Sequence, residues 1–271
     1  MTSAATGQEA GALLSGRSVL ITGVGPDLGR AVALRSARAG ADVVLAARTA
    51  ARLEEVAKEV TGLGRRAVTV PADITKPEDA ERIVASALDA YGRVDTVVHN
   101  AFAMPPMTPL ADTSLDAIKT AFDTNVLAVI RLTRLLTPSL AASPGGGSVV
   151  MVNSAVLRHS RVGYAGYKMA KSALLSLAQS LATELGPDGI RVNSVAPGWI
   201  WGGTLQWYFG YLAEQRGVER QVVYDETAAS TDLRRLPEPD EIADAVVFLA
   251  SPMARAITGQ CLDVNCGEFH H

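Results

Sequence analysis

The chain has 271 residues, 48% hydrophobic and 20% charged, with a formal net charge of -3. This composition suits a globular protein with a sizeable core and excludes an intrinsically disordered one, while the slight acidity argues against attraction to a phosphate backbone, so no nucleic-acid partner is expected. Two cysteines, Cys261 and Cys266, make neither a disulfide framework nor a zinc-site spacing, and with no basic-flanked leader and no run of about 20 apolar residues, a cytoplasmic protein without a membrane span is expected.

The first 15 residues read as a flexible N-terminal segment and residues 16–271 as a single domain. From residue 18 onward short β-branched runs at 18–21, 42–45, 67–70, 95–98, 148–152, 191–195 and 261–264 alternate with longer helical patterns. Helices are predicted at 30–39, 51–60 and 77–90, with Pro77 suited to a first helical turn. Strict alternation implies βαβ crossovers, hence an α/β doubly wound fold with a seven-stranded, mainly parallel sheet and helices on both faces. Residues 199–236 break the alternation and hold half of the chain's Phe, Tyr and Trp residues, which marks a specialised insertion.

The first strand runs into Thr22-Gly23-Val24-Gly25-Pro26-Asp27-Leu28-Gly29 and then a helix. A glycine turn on the first βα unit lets backbone amides and a helix N-terminus approach a pyrophosphate, although glycines serve any tight strand-to-helix turn. Further on, Tyr167 and Lys171 lie four residues apart on one helical face, where a cation would lower a phenol's pKa from about 10. Tyr164 and Lys168 form a second such register, and the alternative for both pairs is an ordinary surface contact.

Taken together these stretches resemble the short-chain dehydrogenase/reductase family, from about Leu14 to Gly267. Gly23 and Gly29 match the outer glycines of its Thr-Gly-x-x-x-Gly-x-Gly signature; the middle position is Asp27, which can cap the helix but turns a charge toward the phosphates. Gly25, Asp27 and Leu28 complete the predicted phosphate turn. The resemblance implies a Rossmann fold binding a dinucleotide, with Asp73 and Ile74 beside the adenine and Asn100 and Ala101 at the end of the fourth strand. Ala47 stands where relatives preferring NAD carry an acid, and Arg48 follows, so NADP(H) is favoured over NAD(H) through a charge-assisted bond to a 2′-phosphate; the plainer role for Arg48 is a solvated charge ahead of a helix. His99 reads as a hydrogen-bonded strand end, and no metal ligand set is expected.

At the catalytic end, Ser154 lies thirteen residues before Tyr167, a family-like interval, but only ten before Tyr164. The resemblance therefore assigns Tyr167 as proton donor or acceptor, Lys171 as its activator and ribose ligand, Ser154 as the hydroxyl polarising the carbonyl, and Asn125 as the holder of a relay water within a long helix. Pro197, Gly198 and Ile200 are expected beneath the nicotinamide, with Ile200 meeting its carboxamide through backbone atoms. Phe102, Val156, Tyr164, Trp199, Trp201, Trp207 and Tyr208 are the candidate substrate contacts, suggesting a bulky, apolar alcohol or ketone; the alternative is that the aromatics of the insertion pack an oligomer interface or cap the core. A homotetramer is expected, through helices starting near Leu115 and Tyr164, with Leu174, Leu177, Ala178 and Leu181 at helical spacing, and through the last strand. The alternatives are a carrier-linked 3-oxoacyl reductase, for which Arg158, Arg161 and Lys168 would supply a basic docking face, and a catalytically weak, cofactor-sensing binding protein.

Overall fold

The computed structural model describes residues 13–270, so most of the predicted N-terminal segment lies outside the described residues. At the segment's end the expectation needs correction. Leu14 is fully buried and its amide donates to the Ala39 carbonyl at 2.8 Å, so an apolar side chain withdrawn from water docks this turn at the end of the first helix.

Seven strands form one sheet: β1 (Ser18–Thr22), β2 (Asp42–Ala47), β3 (Ala67–Pro71), β4 (Thr96–His99), β5 (Ser148–Val152), β6 (Arg191–Pro197) and β7 (Cys261–Val264). Their order is β3-β2-β1-β4-β5-β6-β7. Every adjacent pair is parallel, so the sheet is wholly rather than mainly so. The helices are α1 (Leu28–Arg38), α2 (Ala50–Gly62), α3 (Pro77–Tyr91), α4 (Leu115–Phe122), α5 (Ala128–Ala141), α6 (Ala165–Leu185), α7 (Gly203–Arg216), α8 (Arg220–Ala228) and α9 (Pro239–Ala250). None is long and apolar enough to cross a membrane.

The strands are apolar on both faces because helices cover both. Val19, Ile21, Val43 and Leu45 pack with α1, α2 and α9. Leu20, Val44 and Ala46 point the other way, toward α3, α5 and α6. This period of two is the strand pleat expressed as two cores, each fully buried Val or Leu contributing about 1.5–3 kcal/mol. Of the α6 residues at helical spacing, some of which had to face the sheet, Leu174 and Ala178 belong to the second core.

From β1 the chain builds outward through β2 and β3, then returns to place β4 on the other side of β1. Such a reversal opens a crevice at the carboxyl ends of the strands, where open α/β sheets bind ligands. On the far side, residues 199–236 form α7 and α8 around a small core of their own, built on Phe209, Ala213, Val223, Ala228 and Leu236.

Candidate active site

A cavity of about 590 Å³ occupies that crevice, lined by Gly23, Gly25, Arg48, Asp73, Ile74, Asn100, Ala101 and Phe102 among others. Two glycines of the turn are forced. Gly23 has φ of +70°, and a Cβ on it would sit 2.5 Å from the Ala101 Cα, while one on Gly29 would sit 2.5 Å from the Gly23 carbonyl oxygen. The ends of β1 and β4 are tied together by Thr22, whose Oγ1 accepts from the amides of Asn100 and Ala101 at 3.2 and 3.3 Å, and by Asn100, whose Nδ2 donates to the Gly23 carbonyl at 2.7 Å. This backbone-lined hollow with a bare glycine floor fits a dinucleotide, whose phosphates need close approach to amides.

At the outer end Arg48, Thr49 and Arg52 share one wall of the cavity. Arg52, one helical turn beyond Arg48, was not anticipated, though that spacing was visible. Asp73 does not cap α3: its Oδ1 accepts from the Thr75 hydroxyl at 2.7 Å and the Thr75 amide at 3.1 Å. These bonds hold its carboxyl below the usual range, burial opposing them. His99 is buried, bonds through Nε2 to the Thr133 hydroxyl at 2.9 Å, and is pushed down to about 3 by desolvation, as suits a neutral strand-end residue.

Leu28 and Asp27, predicted to face the phosphates, do not line the cavity. Leu28 is buried in the first core. The Asp27 carboxylate does not cap its own helix α1. It reaches α7, accepting from the amides of Gly203 at 2.8 Å and Thr204 at 3.2 Å and from the Thr204 hydroxyl at 2.7 Å. Burial raises its pKa, but these three bonds and the charge of Arg52 outweigh that and lower it.

The catalytic candidates converge where α6 starts beside the end of β5. Ser154 lies two residues beyond that strand in extended backbone, its Oγ accepting from the Val156 amide at 3.2 Å and hydrogen-bonding Tyr167, while Val156 itself is buried. Tyr167 is 9% exposed and Lys171 2%. The Lys171 Nζ donates to the Val152 carbonyl at 2.8 Å and lies 5.8 Å from the Tyr167 ring and 5.9 Å from that of Phe102, which also lines the cavity. Expected pKa behaviour is reversed for the phenol. Burial pushes Tyr167 up to about 12, the Ser154 bond opposing it, and burial pushes Lys171 down to about 7; both charged forms lose hydration in the same dry site.

The other register does not form a pair. Lys168 donates to the His159 carbonyl at 2.6 Å and the Ser160 hydroxyl at 2.8 Å, while Tyr164 meets the His159 ring edge-on at 5.5 Å. Asn125 lies in a π-helical turn, Asp123–Leu127, which interrupts the long helix expected here. Its Nδ2 donates to Ala103, a cavity residue, and to Ala121, both at 2.7 Å, leaving a buried Oδ1 without a protein partner. Such π turns recur at functional sites.

The substrate candidates are scattered more widely than expected. Trp201 is absorbed in the small core, 4.6 Å from Tyr224 and 5.6 Å from Phe209. Trp199 packs on Phe209 and hydrogen-bonds Glu268, a buried carboxyl raised mainly by desolvation that no sequence signal revealed. Trp207 is 72% exposed and stacks on Tyr211 at 6.3 Å. Burial raises the Tyr164 pKa, the charge of Arg161 opposing it and that of Tyr208 adding to it. Ile200 spends its carbonyl on the Gly202 amide at 2.7 Å, and Pro197 and Gly198 end β6, the Gly198 amide donating to Val264 at 3.4 Å. The basic trio is engaged internally: Arg158 pairs with Asp263 at 3.2 Å, Arg161 lies 3.9 Å from Glu268, and Lys168 is held as described.

A family described as Enoyl-(Acyl carrier protein) reductase matches residues 23–268. The chain is 39% identical over 254 residues to an uncharacterized oxidoreductase of Mycobacterium tuberculosis, covering 94% of this chain and 92% of that one. Among solved structures, a 7α-hydroxysteroid dehydrogenase complexed with NADH and 7-oxo glycochenodeoxycholic acid superposes with a TM-score of 0.86 at 30% identity, covering 96% and 97% of the two chains. The L-sorbose reductase of Gluconobacter frateurii, complexed with NADPH and L-sorbose, gives 0.90 at 28% identity, covering 96% and 99%. With its parallel sheet, glycine-floored crevice and Ser-Tyr-Lys group, the chain belongs to the short-chain dehydrogenase/reductase family of oxidoreductases.

Proposed function

We propose that this chain transfers a hydride between NADP(H) and a secondary alcohol or ketone with a bulky, apolar body, using Tyr167 as the proton donor or acceptor. The observation that carries this reading is the difference between the two tyrosine registers: Tyr167 and Lys171 are buried together and Ser154, half-buried, hydrogen-bonds Tyr167, whereas Lys168 is held by His159 and Ser160.

The nicotinamide, when bound, supplies or accepts the hydride. Gly23, Gly25, Gly29, Asp73, Ile74, Asn100 and Ala101 would hold its adenosine diphosphate half, and Pro197, Gly198, Ile200, Tyr167 and Lys171 the other. A phenol near 12 carries its proton at neutral pH and can donate it as the substrate oxygen becomes an alkoxide, while Ser154 donates a second hydrogen bond to that oxygen. Lys171, near 7, holds a proton loosely; charged, it stabilises the phenolate left behind. The unpartnered Oδ1 of Asn125 is suited to a relay water.

Preference for NADP(H) rests on Arg48, Thr49 and Arg52 along one cavity wall, with neutral Ala47 at the strand end. A bulky, apolar substrate is supported by Phe102 and Met104, 58% and 49% exposed at the cavity mouth, and by Tyr208 near Tyr164. The carrier-linked alternative is weakened because Arg158, Arg161 and Lys168 already face internal partners. The sensor alternative would leave Ser154 and the buried Tyr167 and Lys171 without a task. The reading also makes the chain a cytoplasmic homotetramer, for which Leu115, Leu127, Leu135 and Met169 leave apolar surface on and between α4, α5 and α6. NADPH and NADH consumption over a panel of ketones tests it: turnover with NADPH and bulky ketones supports the reading, and inertness toward every ketone and alcohol refutes it.

A further inference from the structure

Asp27 joins two parts of the molecule that are otherwise separate. It sits in the glycine turn between β1 and α1, while the groups it binds, Gly203 and Thr204, begin α7, 176 and 177 positions along the chain. The α7–α8 segment has its own small core, distinct from the two cores that flank the sheet. Helix α7 lacks a cap from its own N-cap residue, Gly202, so Asp27 supplies from a distance the acceptor that its first amides need.

Gly202 carries the complementary observation. Its φ of -97° and ψ of 177° are open to any residue, so backbone conformation does not require glycine. Space does: a Cβ there would lie 2.6 Å from the Asp27 Cγ and 2.7 Å from its Oδ1. An alanine at 202 would have to push the carboxylate out of its seat. The acid at 27 and the glycine at 202 therefore fit each other, and the charge that looked hostile to a phosphate is answered by three donors and the positive end of a helix.

We propose that Asp27 is a positioning residue for substrate selection: it latches the start of the aromatic α7 segment to the phosphate turn, so that its loss weakens substrate binding rather than cofactor binding. The substrate part of this inference rests on the hydride-transfer reading; the latch itself does not.

The test is hydrogen–deuterium exchange over residues 202–206 of the full chain, together with NADPH titration and steady-state kinetics, in Asp27→Ala, Asp27→Asn, Gly202→Ala and the Asp27→Ala/Gly202→Ala double variant. Losing a side-chain cap corresponds to about a 2- to 30-fold change in the local equilibrium. Asp27→Ala and Gly202→Ala should each raise exchange in that segment, and KM for the carbonyl, by such a factor, with kcat and the NADPH Kd within about threefold of wild type. Asp27→Asn, which keeps an acceptor, should recover part of the loss. The double variant should be no worse than the worse single one, as for two changes to one contact. Unchanged exchange at 202–206 in a folded Asp27→Ala protein, or multiplying effects in the double variant, overturns the latch. Tighter NADPH binding in Asp27→Ala with unchanged KM returns the carboxylate to the phosphates and also overturns it. Should wild type turn over no carbonyl, the hydride reading fails, while exchange in the single and double variants still decides the latch.

Discussion

Replacing Tyr167 by Phe removes one oxygen from a ring that is 9% exposed and leaves the ring's packing in place. Stability then loses chiefly the hydrogen bond with Ser154, about 1 kcal/mol, or roughly 2–4 °C in Tm for a chain of this size. Turnover loses the proton carrier itself. General acid catalysis contributes about 10²- to 10⁴-fold, which is about 3–5 kcal/mol of barrier at 1.36 kcal/mol per decade. The kinetic effect therefore exceeds the structural one several times over, and the two separate cleanly. Tyr164→Phe changes a half-buried ring that meets His159 edge-on, so KM should move with kcat within about threefold. NADPH absorbance under saturating ketone gives kcat, fluorescence titration gives the NADPH Kd, and thermal melts control for folding. Comparable kcat losses in the two variants, or a Tyr167→Phe enzyme keeping more than about a tenth of its turnover, would refute the assignment of Tyr167.

Lys171 offers a stability prediction of opposite sign. Its pKa falls from 10.5 to about 7 in the fold. The unfolded chain thus binds a proton that the folded one releases between those values, and stability rises with pH through the window. At or below about pH 7 the penalty is fully present and amounts to a few kcal/mol at most. Lys171→Met should accordingly raise Tm at pH 6 while abolishing turnover, and the gain should vanish toward pH 10.5; thermal melts across pH check this. Arg48→Ala and Arg52→Ala should each weaken NADPH by about 10-fold or more while leaving NADH within about twofold, as titrations with both cofactors would reveal. Leu127→Glu, placing a charge on an exposed apolar residue between α4 and α5, should convert a tetramer to smaller species by sedimentation, whereas a monomeric wild type would remove the oligomer from the proposal.

The sheet was legible because each strand declares itself locally: 149–152 is an unbroken apolar run, which a strand covered on both faces tolerates in a short segment. Ser154, Tyr167 and Lys171 were legible because a fixed interval and one helical turn bring them together. Other features depended on partners that local pattern does not disclose. Helices α7 and α8 were hidden because Trp207, Tyr208, Phe209 and Tyr211 ring α7 instead of forming a stripe along it. The π turn at Asn125 replaces a continuous helix without a proline or glycine to announce it. Asp27 was conspicuous as a departure from the glycine pattern, but its partners lie 176 and 177 positions away. The raised phenol at Tyr167 was missed because spacing shows a nearby cation and does not show the burial that outweighs it.

The central claim is that hydride goes to a carbonyl carbon, and the most direct measurement is isotopic. Wild-type enzyme is given NADPH deuterated at C4 of the nicotinamide, on each face in turn, with a bulky α,β-unsaturated ketone, and the product is read by mass spectrometry and NMR. Hydride transfer assisted by Tyr167 and Ser154 at the carbonyl oxygen predicts an allylic alcohol bearing deuterium on the carbinol carbon, from one face of the cofactor only. Deuterium on the β-carbon of a saturated ketone, as an enoyl reductase would place it, would contradict the account.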